Sequence, residues 1–348
     1  MTGLDSVQLK NVIVHKVGNP TRSEALRLSK NALTLNDGLV KAMLTKYFLG
    51  SFNENEQYHF THLSDVNLNE VYNYVTKIFE DPSAFIETSV LLASFLYNKS
   101  SHVRVKEGEM YIATFDQVPF GTEYQQAVGI FKSESKETFL KVFPHGQSME
   151  VISEEGININ KLDKGCLVFR NNKKEGYTVC VVDSTNKQND AQYWISDFLQ
   201  VEPYADSYHN TDKYLGLCKQ FITNEYTEKF EVSKSDQIEM LNKSMDYFKT
   251  KDQFNVQEFT EEVIHHPEVI DSFLEYKKTY ENAKNYEIED EFDIHLSAVK
   301  KQAKVFKAVL KLDKNFHVYI HGRKDLIEKG YDELTGKHFY KLYFDEEA

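Results

Sequence analysis

Two changes of hydrophobic period constrain what this chain can fold into. From His102 to Asp183 apolar residues recur at every second position. Val103 and Val105 alternate with Arg104 and Lys106, then come Val128 and Ile130, Phe139–Phe143, Cys166–Arg170 and Tyr177–Val182. A period of two marks strands, whose successive side chains point to opposite faces. Asn171–Gly176 between the last two runs has the composition of a hairpin loop. The segment therefore reads as an antiparallel sheet of roughly five or more strands.

On either side the period is helical. Val12 and Val14 form an opening strand that ends in a Gly18-Asn19-Pro20 turn. Asn36-Asp37 is placed to cap a helix that Gly50 stops, and Asn67 precedes Val71, Tyr74, Val75 and Ile78 on one helical face. At Asp81-Pro82 a carboxylate accepts from orphan N–H groups while proline occupies the first helical position. The helix that follows, Ser83–Tyr97, is apolar almost all round, as a buried central element would be. Beyond Glu202-Pro203, Thr211-Asp212 reads as a helix cap. Ile238, Leu241, Met245 and Phe248 line a second helix, Asn255 caps a third and Pro267 opens a fourth. The tail reads as a meander: Phe306–Leu312, a turn at Asp313-Lys314-Asn315, Phe316–Ile320, then His338–Phe344 after Leu334–Lys337.

The fold class is α+β: an N-terminal antiparallel sheet with helices, followed by a mainly helical C-terminal domain ending in a small β-meander. The expected domains are 1–202 and 203–348. No internal repeat or low-complexity tract is present.

Charge limits the function classes. The chain has 41 Lys and Arg against 54 Asp and Glu, a net of −13. Split at Ala205 the two parts carry −5 and −8, so neither is a basic domain. A polyanion site on such a chain has to be a local patch. Arginine occurs only at 22, 27, 104, 170 and 323, which leaves few residues for forked recognition of bases. The longest apolar run, Val90–Tyr97, is far short of the about twenty residues that span a bilayer. The first residues show no basic stretch followed by an apolar one, and three cysteines without a C-x-x-C fit a reducing compartment. The expectation is an intracellular, soluble protein.

Catalytic signatures do not occur: no P-loop, no G-x-G-x-x-G, no G-x-S-x-G and no H-E-x-x-H. His59 and His62, with Glu56 and Asp65 near them, form the best metal-like cluster, but their spacing is that of solvated loop histidines. His265-His266 before Pro267 reads as a helix start. Cys166 and Cys180 lie on facing strands and read as small core residues. Tyr193-Trp194 offers a stacking platform for bases, but Ile195, Phe198 and Leu199 around it favour packing. No cofactor or metal is expected.

The positive cluster is Lys300, Lys301, Lys304, Lys307, Lys311 and Lys314, with Arg323 and Lys324 beyond, and no acidic residue occurs from 298 to 312. As a helix, Lys300, Lys304, Lys307 and Lys311 share a face. As a strand from 305, Lys307 and Lys311 lie opposite Phe306, Ala308 and Leu310. Either way a lysine face suits phosphate contact without base reading. The competing reading is an ordinary solvated face paired with the acidic run Glu287–Asp293. Lys173-Lys174 is the next place to look.

The order of elements resembles the bacterial 37-kDa nucleoid-associated proteins, the NdpA or YejK-like family. The resemblance is carried by Ser23–Leu28, read as a strand region, by Phe85–Tyr97, and by Ala191-x-Tyr193-Trp194-x-x-x-Phe198-Leu199. A capped helix with Leu215, Cys218 and Phe221 and the hairpin Phe306–Ile320 continue it. It implies a cytoplasmic, nucleoid-associated, non-enzymatic protein that binds DNA directly or works through DNA enzymes such as topoisomerases. Homodimerisation is left open. Two other classes remain: a protein-interaction module without DNA contact, and a metal-dependent hydrolase or nuclease.

Overall fold

The computed structural model describes residues 3–185, 193–284, 287–304, 306, 309–319 and 326–346. It divides into two compact units, Met1–Tyr204 and Ala205–Ala348. The first unit runs β1 (Gln8–Val17), α1 (Gly38–Leu49), β2 (Gln57–Phe60), α2 (Glu70–Glu80), α3 (Phe85–Lys99), β3 (Gly108–Phe120) and β4 (Glu123–Ser133). It continues through β5 (Glu137–His145), β6 (Ser148–Gly156), β7 (Lys164–Phe169), β8 (Thr178–Asp183), a π-helical turn at Tyr193–Leu199 and β9 (Val201–Pro203).

Seven of these strands form one antiparallel sheet in the order β1-β3-β4-β7-β8-β2-β9. Alternation along the strands divides its side chains between two cores. Ile13, Met110, Ile112, Val128, Ile130, Cys166, Val168 and Val179 meet α2, α3 and the π-helical turn on one face. Val12, Tyr111, Phe115, Phe131, Leu167, Phe169 and Cys180 meet Tyr47, Phe48 and Phe52 of α1 and the loop after it on the other. Because both faces are covered, every residue of β7 is buried. Cys166 and Cys180 are buried free thiols on opposite faces, so they pack without approaching a bond.

The helix starts follow from side-chain caps. Asp37 accepts from the N–H groups of Leu39 and Val40, and Asp81 accepts from Ser83. Asn69, two residues after the Asn67 of the sequence reading, caps α2 by accepting from Tyr72. Asn67 is held outside the helix, its N–H bonded to the Asp65 side chain. Only one side of α3 is buried: Phe85, Leu92, Ala93 and Leu96 face the sheet while Ile86 and Leu91 are exposed.

Three strand expectations are corrected. Val103 and Val105 belong to a turn, because the carbonyls of His102 and Val105 accept from the Asn19 side-chain amide and leave the ladder. Ser23–Leu28 is no strand. Asn19 and Pro20 start a short 3-10 turn at Pro20–Arg22, and only Arg27 bridges to β1. Phe139–Phe143 is a strand, but β5 pairs with β6 alone, in a ribbon outside the sheet.

The two edges of the sheet are blunted. On the β1 side, Lys16 and Arg27 exchange backbone hydrogen bonds of 2.9 and 2.8 Å, and Val12 C=O accepts from Leu33 at 2.7 Å. The carbonyl of Val14 accepts from the Ser29 hydroxyl. At the other edge β9 is three residues long and ends in Pro203.

The second unit runs α4 (Ser207–Gln220), α5 (Tyr226–Lys229), α6 (Lys234–Thr250), β10 (Gln253–Asn255), α7 (Val256–Phe259), α8 (Pro267–Lys284) and β11 (Glu291–Asp293). It ends with α9 (Leu296–Ala303), β12 (Val309–Leu312), β13 (Phe316–Tyr319), β14 (Ile327–Asp332) and β15 (Lys337–Leu342). Its core stacks Tyr214, Phe221, Phe248, Phe254, Phe259, Phe273 and Phe292. Thr211-Asp212 does not cap a helix. Asp206 caps α4 by accepting from His209, and Thr211 sits within the helix, its hydroxyl donating to Ser207 and accepting from His295. The helix cap at Asn255 and the helix opening at Pro267 are present. The tail strands form two separate hairpins, β12 with β13 and β14 with β15.

Candidate functional site

The lysine cluster is divided between a helix and a strand. Ala298 and Val299 bury one side of α9. This leaves Lys300 and, one turn on at the helix end, Lys304 exposed on a common side. The helix stops at Ala303 and β12 begins at Val309, so no single helical face runs from Lys300 to Lys311. Lys301 is engaged: its ammonium lies 3.5 Å from Asp212 Oδ2 and 5.7 Å from the Tyr208 ring centre. Asp212 is fixed in turn by the Gln302 amide at 2.8 Å. Lys311 stands opposite His317 in the hairpin, and Lys314 is exposed in its turn. Lys307, Arg323 and Lys324 lie outside the described residues, as do Ala191 and Ile320.

The expected partner of this cluster, the acidic run, is tied down elsewhere. Lys277 reaches Asp290 at 3.0 Å and the Ile288 carbonyl at 2.9 Å. Phe292 is buried opposite Phe254. With Asp206 and Glu258, the carboxylates of Glu289, Glu291 and Asp293 line an acidic cleft of the second unit.

The last hairpin adds cations that the sequence reading misses. Lys329, Lys337 and Lys341 are exposed there. Lys341 lies 3.6 Å from Glu328 and 5.3 Å from the Phe339 ring centre. A charge count over a window of the right length finds them. Residues 296–344 hold eleven Lys and Arg against five Asp and Glu, a net of +6, which with the chain's −13 leaves −19 on the rest. Splitting the chain in two averages that contrast away.

The other candidates resolve into structure. His59 lies in β2 with its ring against Tyr204, His62 accepts from Ser64 N–H, and Asp65 caps a short turn. Among the described residues no group of three or more His, Cys, Asp and Glu is assembled to hold a metal. His265, at φ 63°, links a π-helical turn to α8, and the His266 carbonyl accepts from Val269 and Ile270. Lys173 pairs with Glu80. Trp194 is fully buried, its indole N–H 3.3 Å from the Gly165 carbonyl, so it is no base platform.

Tyr193 is also buried and anchors a charged cluster invisible to sequence patterns. Its hydroxyl donates to Glu134 at 2.7 Å, and Lys132 and Lys164 lie 5.7 and 5.1 Å from its ring centre. Lys132 pairs with Glu134 at 2.9 Å and Lys164 with Asp183 at 2.7 Å. Burial pulls the Lys132 ammonium below its ordinary pKa against the opposing pull of Glu134. Each ammonium of the cluster is thus matched by a carboxylate.

Among the described residues no helix is long and apolar enough to cross a membrane. A search of curated proteins finds no match. The model of the family described as nucleoid-associated protein YejK matches residues 13–338.

Proposed function

From the chain's membership of the nucleoid-associated protein YejK family, we propose that it binds DNA directly and without base preference through the lysines of its C-terminal segment. The observation that carries this reading is the concentration of +6 within residues 296–344 of a chain whose net charge is −13. Lysine is a point charge on a flexible stem, suited to phosphates and not to the edges of bases. Screening over about 8 Å at physiological salt hides most of the acidic remainder from a close contact. No catalytic role is assigned.

The test is duplex binding as a function of salt. Replacing Lys300, Lys301, Lys304, Lys307 and Lys311 by Gln should weaken binding to all duplex sequences alike. Each lost contact should flatten the slope of log K against log salt by about 0.9. Lys300 and Lys304 should each contribute more than Lys301, whose charge Asp212 already matches. An unchanged slope in a folded variant would reduce the segment to a solvated surface.

A second reading is favoured by the acidic cleft of Asp206, Glu258, Glu289, Glu291 and Asp293. Convergent carboxylates repel DNA and suit a basic protein surface, so the chain can also serve as an adaptor to a DNA enzyme such as a topoisomerase.

A further inference from the structure

One corner of the main sheet holds a pocket beside the turn from α2 to α3, with a volume of about 200 Å³. Ile78, Phe79 and Phe85 wall it from the helices and Val128 from β4, and all four are buried. Its mouth is polar. Lys10 of β1, Asp116 of β3, Gln126 of β4 and Arg170, just past β7, line it as a bonded series across the sheet. Lys10 Nζ lies 3.6 Å from Asp116 Oδ2, and the Gln126 amide donates to Asp116 Oδ1 at 2.9 Å. The Arg170 guanidinium donates in turn to Gln126 Oε1 at 2.7 Å. Two bulges meet at this corner. Lys10 is the unpaired residue of β1 between Leu9 and Asn11. In β3 the register breaks between Phe115 and Val118, so Asp116 and Gln117 fall at the break, with Gln117 at φ 59°. A bulge re-aims side chains out of strict alternation, and here both bulges supply the polar mouth.

The series ends on an unmatched charge. Asp116 is already met by Lys10, and among the described residues the Arg170 guanidinium bonds only to the Gln126 amide oxygen. Its flat side lies over Phe79, 5.8 Å from the ring centre, and most of its N–H donors are unused. On a chain where 54 acidic residues face 41 basic ones, an arginine without a carboxylate stands out. We propose that this pocket binds a small aromatic carboxylate, its ring among Ile78, Phe79 and Phe85 and its carboxylate on the Arg170 fork.

Size, charge and shape select this ligand class. A cavity of about 150 Å³ admits benzene, so one of about 200 Å³ holds a single ring with its acid group and excludes a nucleotide. With Lys10 and Asp116 balanced, the lining carries one net positive charge, which a monoanion neutralises and a phosphate dianion exceeds. The guanidinium presents parallel N–H donors in a fork that matches the two oxygens of a carboxylate. An apolar interior with a few convergent polar groups at the mouth is the ordinary build of a small-molecule site. A ligand this small binds with a dissociation constant on the order of 0.1–1 mM. The inference does not depend on the DNA reading, because the pocket belongs to the first unit and the lysine cluster to the second.

Saturation-transfer NMR of the full chain with benzoate, titrated from about 0.05 to about 20 mM, tests it. Binding to the wild type should saturate, and neutral benzamide should bind at least about tenfold more weakly, a comparison that needs no variant. Arg170→Gln should weaken benzoate by a similar factor, with circular dichroism showing the fold intact because Arg170 is exposed. Lys174→Gln, which removes an exposed charge from the same hairpin loop, should leave the affinity unchanged. Absence of saturable binding overturns the proposal, as do equal affinities for benzoate and benzamide or an Arg170→Gln variant that binds as the wild type does. If inorganic phosphate displaces benzoate at equal concentration, Arg170 is a plain anion contact and the proposal fails. It fails also if duplex DNA displaces benzoate and Arg170→Gln weakens duplex binding, since the mouth then belongs to a nucleic-acid surface.

Discussion

His15 shows how much a single buried residue decides. Its Nδ1 accepts from Ser29 N–H at 3.0 Å, so the proton sits on Nε2, which donates to the Ser89 hydroxyl at 3.0 Å. That hydroxyl donates onward to the Ile86 carbonyl at 2.7 Å, completing a chain of bonds that the neutral ring satisfies. Burial lowers its pKa from 6.5 to about 4. The unfolded chain takes up a proton between these values and the folded chain does not. This contribution is therefore whole above pH 6.5 and lost as pH falls towards 4, amounting to about 3 kcal/mol. Urea titrations at about pH 7 and about pH 4.5 should show most of that loss, and His15→Gln should remove most of the difference between the two. Gly176 is the backbone counterpart. At φ 92°, it lies so close to Phe60 that a Cβ would stand 2.2 Å from the Phe60 carbonyl oxygen. Its own carbonyl accepts from Phe60 N–H at 2.9 Å. Gly176→Ala should cost about 2–4 kcal/mol in a denaturant titration, since both the strained φ and the clash act together. The glycine is legible in the sequence as part of a loop. The β2 backbone that it admits is not, because no local pattern announces a neighbour more than a hundred residues away.

At the scale of elements, the sequence is legible where the cause is local. Asp37, Asp81, Asn255 and Pro267 start helices because a side chain accepts from nearby N–H groups or a ring sets φ, and both act over a few residues. The hairpin β7–β8 is legible from its alternation and its loop. What alternation does not encode is the company a strand keeps. Phe139–Phe143 alternates as a sheet strand would, yet β5 stays outside the sheet. Thr211-Asp212 has the residue types of a cap, but Asp206 lies earlier and reaches His209 first. The lysine cluster is visible as composition. Its division between α9 and β12, and the match of Lys301 to Asp212, depend on packing that spacing alone does not reveal.

At the scale of the whole chain, the two compact units meet in sequence between Tyr204 and Ala205. The sequence places a joint at Glu202-Pro203, inside what proves to be the last strand of the sheet. Limited proteolysis should cut first in the connection at 204–206 and spare 288–293. That acidic run, which composition alone marks as open to cleavage, has Ile288 bonded to Glu281 and Lys277 and Phe292 buried. An early cut at 288–293, seen by mass spectrometry of the fragments, would contradict the pairing of β10 with β11.

The blunted edges of the sheet bear on a hazard of crowding. Any surface that gathers many copies of a β-rich protein brings their strand edges together, and an open edge then templates the next chain into a fibre. Here the outward carbonyls of Val12, Val14 and Lys16 are already bonded by residues 27–33, and Pro203 withholds a donor at the far side. Each device leaves the main sheet fewer free backbone groups to offer a neighbouring strand.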